Sequence, residues 1–562
     1  MLDSFARRLA RSAPLRHMLF LVAALLAVWG TGYHFGTFDQ IVHIPYLLKG
    51  VYPELYPNDD FLNLRFYHYS FFWFAFEPFV RLGVLEIAVF VVHLLSTYFT
   101  FWMAWELSIT LFKNPLTALF TQIAFIFPHL GLPGFTLIEF CLLNRNFVLP
   151  FLMLAMVLYL KRRYRLAYLV LGLMYNLHAI SATFVLAMFL LDSVLRWRQV
   201  GWRNMLVGLM LFVIGAWPVL FWKTNHSPID FSLRPDVLDV SSRAMLATIY
   251  YMILPQPFVI MDTLNGAGTL GLFLAGRKHA PSGEHDRPMT HFVYAIGAIL
   301  LVQVITTYWL PITIILQFQI LRAATFLLLF GYLYFANLLA RVYQESRLDL
   351  DSFAVLLGAF IVSVVPVVPC LIWLARRWLA GRRWLQLGIQ GALAVGMIAG
   401  VLLARQADLY QPGFHLYGPD TEWVEVQRWA RDHTPQDARF ITPPHLSSFY
   451  VPDWRVFSQR STIATLPEVM EIPFAPDYLP NWQSRFESVA PGAVARFNYN
   501  YGENQAIAAG AYYSLSLEEV RQVARQYGAS YLVVEKPHTR NLPVVYENEG
   551  FIVYDLRGMS GE

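Results

Sequence analysis

The sequence predicts a polytopic α-helical membrane protein with a small soluble α/β domain at its C-terminal end. Three observations lead there. Of the 562 residues, 57% are hydrophobic and only 14% are charged, against about 25% charge in an ordinary globular domain. The mean hydropathy is +0.45. The long apolar runs crowd into residues 18–405, whereas 406–562 have the mixed texture of a soluble fold. The net charge of +4 sits in short basic loops, so it speaks of membrane topology and against nucleic-acid binding. Cys141 and Cys370 lie inside apolar segments and read as reduced packing residues.

Taken in order, the N-terminus "MLDSFARRLARSAPLRH" puts positive charge ahead of the apolar run "MLFLVAALLAVWGTGY" (18–33). No small-residue cleavage site follows, so this reads as an uncleaved first span that starts in the cytoplasm. Runs such as "LEIAVFVVHLLSTYFTFWMAW" (85–105) and "MLVGLMLFVIGAWPVLFW" (205–222) are long enough to cross a hydrocarbon core of about 30 Å. Basic clusters at 7–16, 161–165, 196–203, 276–288, 341–347 and 375–383 mark cytoplasmic turns. The loops between them, 34–80, 128–138, 223–246 and 309–321, then fall outside, and the first is the longest. Residues 352–374 separate two basic clusters but are long enough for one ordinary crossing. Either Pro366 and Pro369 break them into a hairpin, giving about 13 spans and an extracytoplasmic C-terminal domain, or a single span gives about 12 and a cytoplasmic one. The prolines and the arginines of "ARRWLAGRR" favour the hairpin; the predicted range is about 11–13 spans.

The domains are therefore 1–405, multi-span, and 406–562, soluble α/β. In the latter, "DTEWVEVQRWARDHTPQDARFITPP" reads as a capped helix followed by a strand. In "SLSLEEVRQVARQYGASYLVVEK", Ser516 and Glu519 form a capping box. Val520, Val523, Ala524 and Tyr527 keep helical spacing, Gly528 stops the helix, and a buried strand follows. "LPVVYENEGFIVYDL" is a hairpin turning near Glu549 and Gly550. This domain carries no glycine-rich phosphate loop, metal spacing or nucleophile elbow, so its expected role is to cap the membrane part or help bind a substrate.

Candidate chemistry begins at "FGTFDQIVHIPYLLKGVYPELYPNDDF" (35–61). Asp39 and His43 are four apart and share a face on a helical turn. "IPYLLKG" is apolar enough to lie along the membrane surface, ending at Lys49, and "YPNDDF" returns Asp59 and Asp60 beside a turn. A partly desolvated Asp39 would have a raised pKa and serve as a general base. Two further acids suit a divalent cation. The plainer alternatives are that Asp39 caps a helix and that Asp59 and Asp60 belong to an Asx-type turn. In "IEFCLLNRNF", Glu139 is a further acid or metal ligand and Arg145 a phosphate ligand, or the two are simply partners or snorkel to the interface. His178 in "YNLHAIS" is a site residue or, twice as readily, an interhelical donor. "LPITIILQFQILRAATF" brings Gln317, Gln319 and Arg322 to an outer helix start. Arg322 is the best candidate for a lipid-linked phosphate; its alternative is a buried pair with an acid such as Asp39. The loop 223–243 adds Lys223, Arg234 and Arg243 among three aspartates, which a solvated surface would also explain.

A first span followed by a long outer loop with an early Asp, many short-looped spans and a terminal α/β domain resemble the GT-C superfamily of membrane glycosyltransferases. Within it, "GTFDQIVHIPYLLKG…LYPNDDF", "NRNFVLPFLMLAMVLYLKRRYRLAYLVLGLMYNLHAIS" and "VQRWARDHTPQDARFITPP…LVVEK…LPVVYENEGFIVYDL" are similar to a bacterial family of uncharacterised membrane proteins, the DUF6798 type. The likeness runs through nearly the whole chain. It implies inverting transfer of a sugar from a polyprenyl-phosphate-linked donor to an extracytoplasmic lipid, glycan or protein acceptor, at the bacterial inner membrane, with the C-terminal domain in the periplasm. By that likeness Asp39, with His43 beside it, is catalytic, and a second acid is Asp59, Asp60 or Glu139. Arg322 and other basic residues hold the donor phosphate. The full expected substrate-binding set is Lys49, Asp59, Asp60, Glu139, Arg145, His178, Gln319 and Arg322. Asp59 and Asp60 are adjacent and not alternating, so metal-independent transfer fits better than a divalent cation there, and no cofactor is expected. Two other classes compete. A lipid-linked glycan flippase predicts inverted repeats and broken helices, of which only Pro366 and Pro369 give a hint. A non-catalytic assembly or binding protein would use the terminal domain. The aromatic share of 16% suits sugar stacking or an interfacial belt equally. The discriminating observation is whether Asp39 and Arg322 face one cavity.

Overall fold

The computed structural model describes residues 2–132, 134–227, 229–246, 257–406, 410–447 and 451–559. Among these, six helices are long and apolar enough to cross a membrane: Ala13–Thr31, Leu85–Phe112, Trp202–His226, Gly283–Tyr308, Ile320–Gln344 and Arg383–Gln406. Pro115–Phe125, Asn144–Leu160, Ala179–Leu195 and Leu350–Val362 are shorter apolar helices of the same bundle. Two of the six show opposite burial. Ile320–Gln344, the central post of the bundle, has an 18-residue stretch that is 94% buried. Arg383–Gln406 is equally apolar yet leaves Leu387, Val395, Ile398, Leu402 and Leu403 uncovered. A helix with that surface needs an apolar solvent, and the whole is compatible with an integral membrane protein.

Helix crossings use small residues. A Cβ on Gly172 would lie 2.3 Å from the Phe212 carbonyl oxygen, so Tyr164–Tyr175 and Trp202–His226 approach backbone to backbone, the packing that apolar surroundings favour. Residues 352–374 take the two-helix alternative. Leu350–Val362 ends at Ser363, Val367–Leu379 begins after Pro366, and the two helices pack together. The tip is tied down by Leu130 N–H donating to the Val364 carbonyl at 2.9 Å and by His129 Nδ1, 2.8 Å from the Ser363 carbonyl oxygen.

The C-terminal sheet runs in the order Ser461–Thr462, Arg439–Ile441, Tyr531–Glu535, Phe551–Asp555, Val544–Glu547. The first three strands are parallel and the last two pairings antiparallel. The local signals read from the sequence are all present: the Ser516–Glu519 capping box, Gly528 in a left-handed C-cap, and a hairpin around residues 548–550.

The first loop is built into this domain. Tyr33 and His34 pair in parallel with Phe414 and His415. A Cβ on Gly32 would fall 2.1 Å from the Gln411 carbonyl oxygen, and one on Gly36 would meet Val456 at 2.9 Å. Tyr33, Phe35, Ile41 and Leu47 share one hydrophobic core with Phe457, Leu466, Trp482 and Leu532. Here one expectation is corrected. The "IPYLLKG" stretch belongs to a helix, Gln40–Val51, that is buried along most of its length and not laid on a membrane surface. The C-terminal domain covers it through Trp454–Ser458, a contact that no local pattern encodes.

Candidate functional site

Between the bundle and the C-terminal domain lies a cavity of about 450 Å³, within the usual size range of small-molecule sites. Six parts of the chain supply its polar groups, one of them being His178 at the start of Ala179–Leu195. The first loop gives Asp39, His43 and His68, and the start of Asn144–Leu160 gives Arg145. Lys223 ends Trp202–His226, Gln319 and Arg322 open the central helix, and Glu471 comes from the C-terminal domain. Much of the remaining wall is apolar, with Val219, Leu220, Ile314 and Phe474.

Local backbone geometry sets Asp39 in place. Gly36 and Phe38 both have positive φ, +80° and 56°. A bulky residue in that region is uncommon and marks a position held by its surroundings. Gln40 supplies the hold. Its Oε1 accepts from the Gly36 N–H at 2.8 Å and its Nε2 donates to the Leu142 carbonyl at 2.9 Å, drawing the loop onto the segment before Arg145. Asp39 precedes the helix Gln40–Val51, but its side chain makes no capping bond. It accepts instead from Arg145 Nη1. Arg145 also donates to both oxygens of Glu139, at 2.6 and 2.7 Å, a bidentate pair. The guanidiniums of Arg145 and Arg322 both lie near the Phe135 ring, 5.2 and 5.1 Å from its centroid. Gln319 too takes positive φ, 44°.

This surrounding charge corrects the expected acidity of Asp39. Burial pushes its carboxyl upward, but Arg145 and Arg322, with His43, outweigh that and hold it below the ordinary 3.8. Asp39 is an ionised carboxylate, not an acid poised near neutrality. His43 is driven down to about 3, first by burial and then by His68, with Asp39 opposing. His68 moves the other way. Burial disfavours its charge, but the ion pair with Glu471 raises it above 6.5.

Of the residues expected from the sequence, Asp39, His43, Arg145, His178, Gln319 and Arg322 line the one cavity. His178 also caps Ala179–Leu195, its Nδ1 accepting from the Ser181 N–H at 3.2 Å, which leaves that nitrogen unprotonated. Glu139 is buried behind Arg145 and acts on the cavity only through it. Three expected binding residues stand elsewhere. Lys49 donates to the carbonyls of Pro53 and Leu55, at 2.7 and 2.6 Å, and closes the end of its helix. Asp59 accepts from Arg455 Nε at 2.6 Å and Nη2 at 3.2 Å, sealed from solvent. Asp60 faces outward, 3.3 Å from Asn481 Nδ2. The adjacent acids diverge because Arg455, far away in sequence, captures one of them. No group of three or more His, Cys, Asp or Glu able to hold a metal occurs among the described residues.

Sequence reasoning missed His68 and Glu471 as site residues and left Lys223 in a loop of undecided role. His68 sits in "FYHYSFFWF", where a lone imidazole among aromatics was the available signal. Glu471 follows the capping box of Thr465 and Glu468 in "TLPEVME", a second buried acid in that turn.

Chemically, the cavity joins a fixed carboxylate, cationic groups at Arg322 and Lys223, and an apolar wall. That combination suits an amphiphilic anion that carries a reactive group at its polar end. No curated protein matches the chain. Residues 421–489 match a domain of unknown function (DUF6798), and that stretch supplies Arg455, Glu468 and Glu471, the residues that seat the C-terminal domain on the first loop and complete the cavity.

Proposed function

We propose that the protein is an inverting membrane glycosyltransferase of the GT-C kind, using a polyprenyl-phosphate-linked sugar on the periplasmic side of the bacterial inner membrane. The observation that carries this reading is that Asp39 and Arg322 line one cavity whose other wall is apolar. The donor's isoprenoid chain lies against Val219, Leu220 and Ile314, and its phosphate meets Arg322 and Lys223. An acceptor hydroxyl approaches the anomeric carbon from the side of Asp39. Its oxygen forms the new bond to that carbon while the carbon–phosphate-oxygen bond breaks. The electron pair leaves with the phosphate, and the hydroxyl proton passes to the Asp39 carboxylate. Placement of the reactants and stabilisation of the leaving charge are the principal requirements. The low basicity of Asp39 means that it takes the proton late, when the hydroxyl oxygen is already bonding and has become acidic. Arg145, itself gripped by Glu139, fixes the carboxylate's direction.

The test is Asp39→Asn in a cell whose envelope glycans depend on the protein. A lost or truncated glycan supports the reading, and an unchanged profile removes the base assignment. The broken helix at Ser363–Pro366 favours a second reading, a flippase for the same class of lipid. The two separate in purified protein, because transport tolerates Asp39→Asn and transfer does not.

A further inference from the structure

A second cavity, of about 160 Å³, adjoins the first. His43, His68 and Ser70 belong to the linings of both. The wall between is therefore little more than two imidazoles, which meet edge to face at 5.0 Å. Beyond it the lining is Tyr46, Arg65, Phe66, Trp73, Phe74 and Glu77. The His43 ring stacks on Trp73, 5.5 Å between centroids and 28° between planes.

The polar groups of this second cavity are not used up by the fold. Tyr46 and Trp73 are each 7% exposed, and the Tyr46 hydroxyl and Trp73 Nε1 are buried with no hydrogen-bond partner. Such groups are costly to leave unmatched. Arg65 and Glu77 both line it and sense one another's charge. The guanidinium lies beside Gly50, where a Cβ would stand in ordinary contact with Arg65 Nη1, at 3.5 Å. An indole and a phenol, a carboxylate and a guanidinium around a space of this size form a receptor for a ring that is apolar on its faces and hydroxylated at its edge. A sugar ring has that chemistry. Its C–H face packs on aromatic rings, its hydroxyls donate to a carboxylate and accept from a guanidinium, and each can satisfy Tyr46 or Trp73.

We propose that this second cavity is a subsite for a single sugar ring, the acceptor end of the transfer reaction. The proposal rests on the glycosyl-transfer reading for the word acceptor, but the sugar-binding claim has its own observations. The ring lies against Trp73, with hydroxyls at Glu77 and Arg65, and presents one hydroxyl past His43 and His68 toward Asp39. Phe66 and Phe74, 44% and 47% exposed, form its outer rim, so that a sugar carried on a lipid and a sugar on a free glycan share the same ring site.

The experiment is photolabelling of the full chain in phospholipid nanodiscs. The probes are diazirine-bearing hexosides of gluco, galacto and manno configuration, each offered as the soluble methyl glycoside and as the dodecyl glycoside. A diazirine analogue of geranylgeranyl phosphate reports separately on the Arg322 cavity. At least one hexoside is expected to label residues 65–77, to be displaced by its unlabelled form, and to lose about tenfold in yield in Trp73→Phe and in Glu77→Gln. Labelling by both forms assigns the site to free and lipid-borne sugars alike, and labelling by the dodecyl form alone assigns it to a membrane-borne acceptor. An undiminished geranylgeranyl phosphate signal shows that the variants are folded; if they are not, displacement from the wild-type chain decides. Absence of label at 65–77 from all hexosides, or label that neither the competitor nor the folded variants reduce, overturns the subsite. Loss of the phosphate-lipid label alone overturns the donor reading instead.

Discussion

Asp39 and Asp59 stand on the same loop, each salt-bridged to an arginine from another part of the chain, and they do different things. Asp59 and Arg455 are both fully sealed. Arg455 continues to Glu468 at 2.7 Å, and Glu468 to Arg485 at 3.1 Å and the Tyr478 hydroxyl at 2.7 Å. Every charge in that chain has its partner, and none of its residues lines either of the two cavities described above. Asp39 retains 22% of its side-chain exposure, opens onto a 450 Å³ cavity, and has two guanidiniums, those of Arg145 and Arg322, in its field. The same pair chemistry thus serves assembly where both partners are sealed, and lines a cavity where one side is left open.

The comparison can be broken from either side. The largest effect expected is on activity: Asp39→Asn lowers transfer by about 10²–10⁴-fold while thermal unfolding stays near wild type. A comparable loss of stability would place Asp39 with Asp59. Arg455→Met should do the reverse, destabilising the protein by about 3–5 kcal/mol because Asp59 and Glu468 are left buried without a cation. Thermal unfolding in detergent reads it, and adding Asp59→Leu to Arg455→Met should recover part of the loss. Arg322→Gln should raise KM for the lipid donor by about tenfold or more, the loss of one charge-assisted contact, with little change in unfolding.

The smallest effect is on pH. His34 stacks on His415 at 4.4 Å, and burial, then His415, bring it down to about 4 against the Gln411 carbonyl. Its contribution to docking is intact above pH 6.5 and is lost as pH falls toward 4. His68 is raised by Glu471 despite burial, so its contribution is complete below pH 6.5 and is lost as pH rises through the raised value. The unfolding temperature should fall on both sides. Each kcal/mol lost moves it by about 2–4 °C, and His68→Gln should flatten the alkaline limb alone.

The sequence made Asp39 and Arg322 visible for a simple physical reason: isolated charges beside apolar runs are expensive and stand out. Local signals were equally readable in the C-terminal domain, where the Ser516 cap and Gly528 stop act within a few residues. Asp59 was not readable, because its partner lies almost 400 positions away in a different domain. For the same reason the helix at Gln40–Val51 was expected at a membrane surface when it lies under Trp454–Ser458. The acidity of Asp39 was misjudged because burial was weighed without Arg145, whose capture depends on Gln40 reaching the Leu142 carbonyl.

Equilibrium titration of geranylgeranyl phosphate into the purified protein in nanodiscs asks whether Arg322 and Asp39 serve one pocket for a lipid phosphate. Saturable binding is expected that weakens about tenfold or more in Arg322→Gln and is unchanged in Lys49→Gln, where the wild-type ammonium closes a helix end outside the cavity. Failure to bind, or equal affinity in wild type and Arg322→Gln, would contradict it.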